Sequence, residues 1–178
     1  LSSIVNWTDR NTCVLFGDGA GAAILRHRPG SRGVVTTYMG SDGNLADILH
    51  MPGGGCACPT TPENIGQNLN TLHMNGRETY KQAVTSMMRA AGIVLDRCGI
   101  TAQDIACVIP HQANLRIIEA MADRMGLGLE KFHINLDKYG NTSAAAVAIA
   151  LDEAARSGRF QIGDPILLVV FGGGLTYA

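Results

Sequence analysis

Pro110-His111-Gln112-Ala113-Asn114-Leu115-Arg116 and Gly140-Asn141-Thr142-Ser143-Ala144-Ala145 contain the side chains best suited to chemistry. An imidazole accepts or donates a proton near neutral pH, and a carboxamide offers an NH₂ donor that never ionises. Gly172-Gly173-Gly174 adds bare backbone, whose N–H groups can be aimed at a developing oxyanion without side-chain hindrance. Each of the three follows an apolar run: Ile105–Ile109, Phe132–Leu136 and Pro165–Phe171. In an open α/β sheet, loops at the carboxyl ends of parallel strands line one crevice. His111, Asn141 and the glycine run are therefore expected along one edge of one sheet.

Each group also has a plainer reading. His111 suits a strand-end histidine bonded to backbone, although Pro110, Gln112 and Asn114 crowd polar groups around it. Asn141 suits a helix N-cap ahead of Thr142, and the glycines suit a simple turn. Arg116 falls with Glu119 and Asp123, opposite a stripe of Leu115, Ile118, Ala122 and Met125, and reads as a solvated helix residue.

The elements that must position these groups alternate between strand and helix. Short strands are expected over Thr12–Phe16 and Ala20–His27, joined by a Gly17-Asp18-Gly19 turn whose glycines tolerate positive φ, and a further strand over Gly33–Met39. Residues 50–73 are irregular and Pro/Gly-rich, an excursion of the sort that covers or borders a site. Asn75 caps the longest helix, with Glu78 completing a capping box, and Gly99 ends it. Its buried face is Val84, Met87, Met88, Ala91, Val94, Leu95 and Cys98. Strand 105–109, helix 114–125, strand 132–136, helix 142–156 and strand 165–171 follow, so the fold class is α/β with a mixed, mostly parallel sheet and helices on both faces.

Composition narrows the function. The 178 residues are 46% hydrophobic and 16% charged, with a net charge of −1, so nothing marks a surface for nucleic acid. No apolar run approaches the roughly 18 residues of a membrane span, and no basic segment with a following apolar stretch marks a signal peptide. A cytoplasmic protein is expected. Five cysteines in no secretory context argue against a disulfide framework; Cys13, Cys98 and Cys107 read as buried small hydrophobes. Cys56-Ala57-Cys58 near His50 is too sparse to read as a metal site.

Taken together, DRNTCVLFGDGAGAAIL (9–25), MNGRETYKQAV (74–84), PHQANLRII (110–118), LDKYGNTSAA (136–145) and FGGGLTY (171–177) resemble the β-ketoacyl-acyl carrier protein synthase III family over essentially the whole chain. The resemblance implies a thiolase-like fold of two similar halves, with a Cys-His-Asn triad. It carries the catalytic histidine to His111, the asparagine to Asn141 and the oxyanion N–H to Gly173. Arg10, Gly76, Tyr80, Asn114 and Phe171 take the substrate and coenzyme A contacts, and Arg77 stands where the family often has Asn. Gln112, Ala113, Asn114, Leu115 and Arg116 take the carrier-protein contact, and Arg124, Lys131 and Lys138 are expected near the same edge. No cofactor or metal is implied, the substrates being a coenzyme A thioester and malonyl-acyl carrier protein, and a homodimer is expected.

One departure decides the reading. The family nucleophile lies in an Ala-Ala-Cys-type turn, and none of the five cysteines stands in such a turn. The chain is thus expected to comprise the last strands of the N-terminal half (1–30) and the C-terminal half (31–178), the final strand stopping early. Its partner would be the missing N-terminal half, and alone it would be inactive. The implied reaction is decarboxylative Claisen condensation of an acyl-CoA, acetyl-CoA first, with malonyl-acyl carrier protein, opening fatty-acid synthesis. A non-catalytic subunit of a split enzyme, or a secondary-metabolite acyltransferase of the same fold, is the alternative.

Overall fold

The computed structural model describes residues 1–178 except Arg28 and Ser31. Its centre is strand β4 (Cys107–Pro110), every residue of which is buried. The seven strands among the described residues are all short. β1 (Gly40–Ser41), β6 (Phe171–Gly172) and β7 (Thr176–Tyr177) form one antiparallel sheet, and β2 (Leu49–His50) pairs with β3 (His73–Met74). β4 runs parallel to β5 (Ile166–Val169), with Cys107 opposite Ile166 and Pro110 opposite Val169. On its other side β4 meets Phe132 through a parallel bridge, extended by the His133 N–H donating to the Val108 carbonyl at 2.9 Å.

Helices cover both faces, because alternate residues of β4 must be buried on opposite sides. Val108 joins the larger core with α1 (Gly76–Cys98) and α2 (Leu115–Met125), through Val84, Met87, Ile118 and Met121. Cys107 and Ile109 face α4 (Ala145–Arg156), meeting Ala150 and Ala154. Ala146, Ala150 and Ala154 recur every fourth residue, so α4 presents a stripe of methyl groups and lies close to the strand.

Local signals set the helix ends where sequence chemistry puts them. Asn75 Oδ1 accepts the Glu78 N–H at 3.2 Å, but the expected capping box is only half formed, since the Glu78 carboxylate turns to Gln82 Nε2 at 2.7 Å instead. Gly99 and Gly126 end α1 and α2 with φ of 63° each, the left-handed turn glycine adopts without penalty. Of the expected face of α1, Val84, Met87 and Ala91 are buried, together with Ala83 and Ala90, while Met88, Val94, Leu95 and Cys98 are half-buried.

Several expected strands are absent among the described residues. Residues 12–15 turn rather than extend, and 20–27 and 33–39 carry no ladder. Ile24, Leu25, Val34 and Val35 are exposed by 75–94%; these segments have the apolar sequence of strands but no neighbour to exchange hydrogen bonds with. The boundary expected between residues 30 and 31 touches Ser31, which lies outside the described residues. The strand expected over 132–136 shrinks to the Phe132 bridge because the Asn135 carbonyl takes the Lys138 and Tyr139 N–H groups, winding α3 (Leu136–Tyr139). Strand 165–171 breaks at Val170, which exchanges two backbone hydrogen bonds with Ala178, so Phe171 enters the antiparallel sheet. Cys107 alone of the three cysteines expected inside is buried.

Ile118 has no exposed surface and meets the main core from α2. Ile118→Ala is expected to cost about 2–5 kcal/mol of stability, read as a shift of the urea midpoint without a change in slope.

Candidate active site

The carboxyl end of β4 opens into a cavity of about 1780 Å³ that His111, Asn141, Phe171, Gly172 and Gly173 line together. The three loops singled out from the sequence therefore do converge. The loops meet there because β4 and β5 end side by side and the bridge at Phe132 brings the third loop alongside.

His111 is held by its backbone: its N–H donates to the Val169 carbonyl at 2.8 Å. The ring packs edge-on against Phe171, with centroids 5.3 Å apart and planes at 80°. Only 8% of the residue is exposed, and burial alone pushes the imidazole pKa down to about 4. At neutral pH the ring is uncharged, and carries one N–H. No hydrogen bond contributes to that shift, so the ring is not held as a bonded strand cap.

Asn141 is fixed even more fully. Its N–H donates to the Leu15 carbonyl at 3.0 Å, its carbonyl accepts the Gly17 N–H at 2.9 Å, and Oδ1 accepts the Ser143 N–H at 2.9 Å. That Asx turn is not a helix cap: α4 begins only at Ala145, with Ala144 in the capping position. With Oδ1 occupied, the carboxamide presents Nδ2 as the group free to donate. Gly173 lies so close to the Leu49 carbonyl that a Cβ there would stand 3.0 Å from it, a crowding that disfavours any side chain.

The remaining expected residues divide. Gly76, Arg77, Tyr80, Ala113, Asn114 and Arg116 line the same cavity, with Tyr80, Arg77 and Arg116 exposed at its rim. Asn114 also caps α2, Oδ1 accepting the Arg116 N–H at 2.9 Å. Arg10 is exposed and does not line the cavity, although its neighbours Asp9 and Asn11 do. Leu115, expected both in the buried stripe and at the carrier contact, is 43% exposed but off the cavity wall, its place in the core being taken by Ile117.

Two corrections follow from hydrogen bonding. Gln112 is 1% exposed, so it is no docking residue. Its Nε2 donates to the carbonyls of Pro110 (2.9 Å) and His133 (3.1 Å), and its Oε1 accepts the Asn135 N–H at 3.0 Å. The basic edge is also smaller than expected. Lys131 Nζ bonds the Ile105 carbonyl at the opposite end of β4, Arg124 sits in the last turn of α2, and Lys138 pairs with Glu153. Of those four cations only Arg116 reaches the cavity. The 50–73 excursion folds on itself, with the Gly53 N–H donating to the Leu69 carbonyl at 2.7 Å, and contributes Leu72 alone to the wall. None of the five cysteines lines the cavity.

The chain is similar to known proteins along its whole length. The family profile described as "3-Oxoacyl-[acyl-carrier-protein (ACP)] synthase III C terminal" matches residues 95–178, and "3-Oxoacyl-[acyl-carrier-protein (ACP)] synthase III" matches residues 1–43. A beta-ketoacyl-acyl-carrier-protein synthase III of Caldanaerobacter subterraneus subsp. tengcongensis is 55% identical over all 178 residues, which cover 54% of that protein. One from Desulfitobacterium hafniense strain Y51 is 48% identical over 177 residues, or 99% of this chain and 54% of that protein. The crystal structure of 3-oxoacyl-acyl-carrier-protein synthase III from Aquifex aeolicus VF5 superposes with a TM-score of 0.88 at 42% identity, over 99% of this chain and 53% of that one. The chain spans about half the length of the curated relatives it matches.

The buried imidazole has a measurable signature. Between the ordinary histidine pKa of 6.5 and about 4, the unfolded chain binds a proton at His111 that the folded chain refuses. Stability conferred by the neutral ring is therefore complete above pH 6.5 and falls on acidification, by about 3 kcal/mol at pH 4. NMR titration is expected to show the His111 ring neutral through pH 5, and His111→Gln to flatten the acid limb of the stability curve.

Proposed function

We propose that this chain, which belongs to the 3-oxoacyl-acyl-carrier-protein synthase III family, is the C-terminal portion of a condensing enzyme that joins an acyl group from acyl-CoA to malonyl-acyl carrier protein with loss of carbon dioxide. The observation that carries the reading is the pair of N–H donors in one cavity: a neutral His111 ring and an Asn141 carboxamide whose oxygen is already occupied. Residues 1–30 belong in this reading to the last part of the N-terminal half, and 31–178 to the C-terminal half. The N-terminal profile match over 1–43 supports that order.

The chemistry asks for two donors at one point. Breaking the malonyl C–C bond releases carbon dioxide and moves the bonding pair into the thioester, placing negative charge on its oxygen. His111 N–H and Asn141 Nδ2–H stabilise that enolate oxygen. The enolate carbon then attacks an acyl thioester held on a cysteine, and the electron pair displaced onto the acyl oxygen meets the Gly173 N–H before collapse expels the thiolate. A neutral imidazole suits the first step better than an imidazolium, because a bare N–H stabilises developing charge without being fully deprotonated. Each such donor is worth about 3–4 kcal/mol of barrier. The thiol itself comes from outside this chain, since no cysteine lines the cavity.

In the full-length enzyme, His111→Ala and Asn141→Ala are each expected to slow malonyl decarboxylation about a hundred- to thousandfold, while acyl transfer from acyl-CoA to the cysteine changes little. Equal loss in radiolabelled acyl transfer would overturn the donor assignment.

Arg116 is exposed and lines the cavity, and in this reading its charge meets an acidic carrier. Arg116→Glu is expected to raise KM for malonyl-acyl carrier protein strongly and in a salt-dependent way, leaving KM for acyl-CoA and the melting temperature near wild type. Equal losses toward both substrates would return Arg116 to an ordinary solvated face.

A further inference from the structure

Behind the cavity wall lies a second polar cluster that takes no part in the chemistry above. Glu153, on α4, extends two carboxylate oxygens toward different segments. Oε2 accepts from Asn135 Nδ2 at 2.7 Å and stands 3.6 Å from His133 Nε2, while Oε1 pairs with Lys138 Nζ. Asn135 is 2% exposed, and its backbone N–H donates to Gln112 Oε1 at 3.0 Å. Gln112 in turn bonds the Pro110 and His133 carbonyls, immediately beside His111. The Asn135 carbonyl receives the Lys138 and Tyr139 N–H groups at 3.1 and 3.3 Å, which sets the turn leading into Gly140 and Asn141.

One carboxylate therefore sits at the junction of the two loops that carry the donors. We infer that Glu153 is a positioning residue: through Asn135 it fixes Gln112, hence the His111 loop, and through Asn135 and Lys138 it fixes α3, hence the Asn141 loop. The inference rests on the reading of His111 and Asn141 as paired donors, since only a shared target demands that the loops be held relative to one another.

The physical case is one of satisfaction. Asn135 Nδ2 is buried, and removing its acceptor leaves a desolvated amide donor unpaired, which costs more than the bond itself is worth. Lys138 does not replace that acceptor, because an ammonium only donates. Burial lowers the His133 pKa, with Glu153 opposing the shift and Arg159 and Lys138 reinforcing it. A plain surface ion pair would do none of this. The Lys138 side chain is 55% exposed, so its pairing contributes little to stability, and the Asn135 bond is the specific contact.

The test uses the full-length enzyme and separates the two half-reactions. Glu153→Ala is expected to lower malonyl decarboxylation and condensation kcat about tenfold or more, the scale set by a small misplacement of reacting groups. Acyl transfer to the cysteine, and KM for malonyl-acyl carrier protein, are expected to stay within about twofold. Glu153→Gln keeps an oxygen to accept from Asn135 and is expected to recover most of the loss. Adding Asn135→Ala to Glu153→Ala is expected to cost little more than either change alone, as residues in one network are not additive. Equal loss in both half-reactions, or no recovery by Glu153→Gln when its melting temperature matches wild type, would overturn the inference. His111→Ala in the same assay separates the two ideas. If it leaves decarboxylation intact, the donor reading itself fails; if it abolishes decarboxylation while Glu153→Ala does not slow it, only the positioning role fails.

Discussion

Strand β4 is buried from both sides at once, and the site follows from that constraint. Its four residues have helices against alternate faces and parallel neighbours on both edges, so the strand can neither rotate nor slide without exposing apolar surface or breaking hydrogen bonds. Pro110 then ends the strand, and His111 leaves it at the carboxyl end, with its N–H still tied to Val169 of the neighbouring strand. The cavity, the edge contact with Phe171 and the loss of imidazole charge are consequences of where that strand ends.

Much of this was legible from residue pattern. The α1 limits, from Asn75 to Gly99, are written in capping chemistry that acts locally. The convergence of His111, Asn141 and Gly173 followed from strand-loop-helix order, and the structure has all three in one cavity. What did not follow were features that depend on partners distant in sequence. An apolar stretch such as Ala20–His27 reads as a strand, yet a strand exists only when something pairs with it. Gln112 was expected at the carrier-protein contact because the family resemblance puts the 112–116 segment there. Its carboxamide is buried because three backbone groups, including those of His133 and Asn135, need a partner there. The Asn135–Glu153 contact spans 18 residues and has no local signature at all. A Gln two residues after a strand-ending Pro was a signal that could have pointed to such a frame.

The electrostatics of the site divide into two zones. Inside, His111 loses its charge by burial and the donors are neutral, so the cavity wall supplies hydrogen bonds rather than a field. Behind the wall the groups are ionic, and Lys138 holds the Glu153 carboxyl below its ordinary range while its own ammonium is held above. The negative charge of Glu153 thus stays behind the wall, and the two donors that face the cavity, His111 and Asn141, remain uncharged.

The seam between residues 17–21 and the segment running from Tyr139 into α4 rests on glycines that come close to it. A Cβ on Gly17 would lie 2.1 Å from the Tyr139 carbonyl oxygen, and one on Gly21 would lie 2.4 Å from Ala148 Cβ. Neither Gly17 nor Gly19 takes a positive φ, so the turn reading gave the wrong reason for these glycines; they are there for close approach. Such a seam leaves evolution almost no room: any larger residue is a wedge that pushes the Phe16–Asn141 bridge apart. Change at this site is therefore confined to the side chains around the cavity mouth, where Arg77 and Tyr80 stand exposed, while the backbone that holds Asn141 stays as it is.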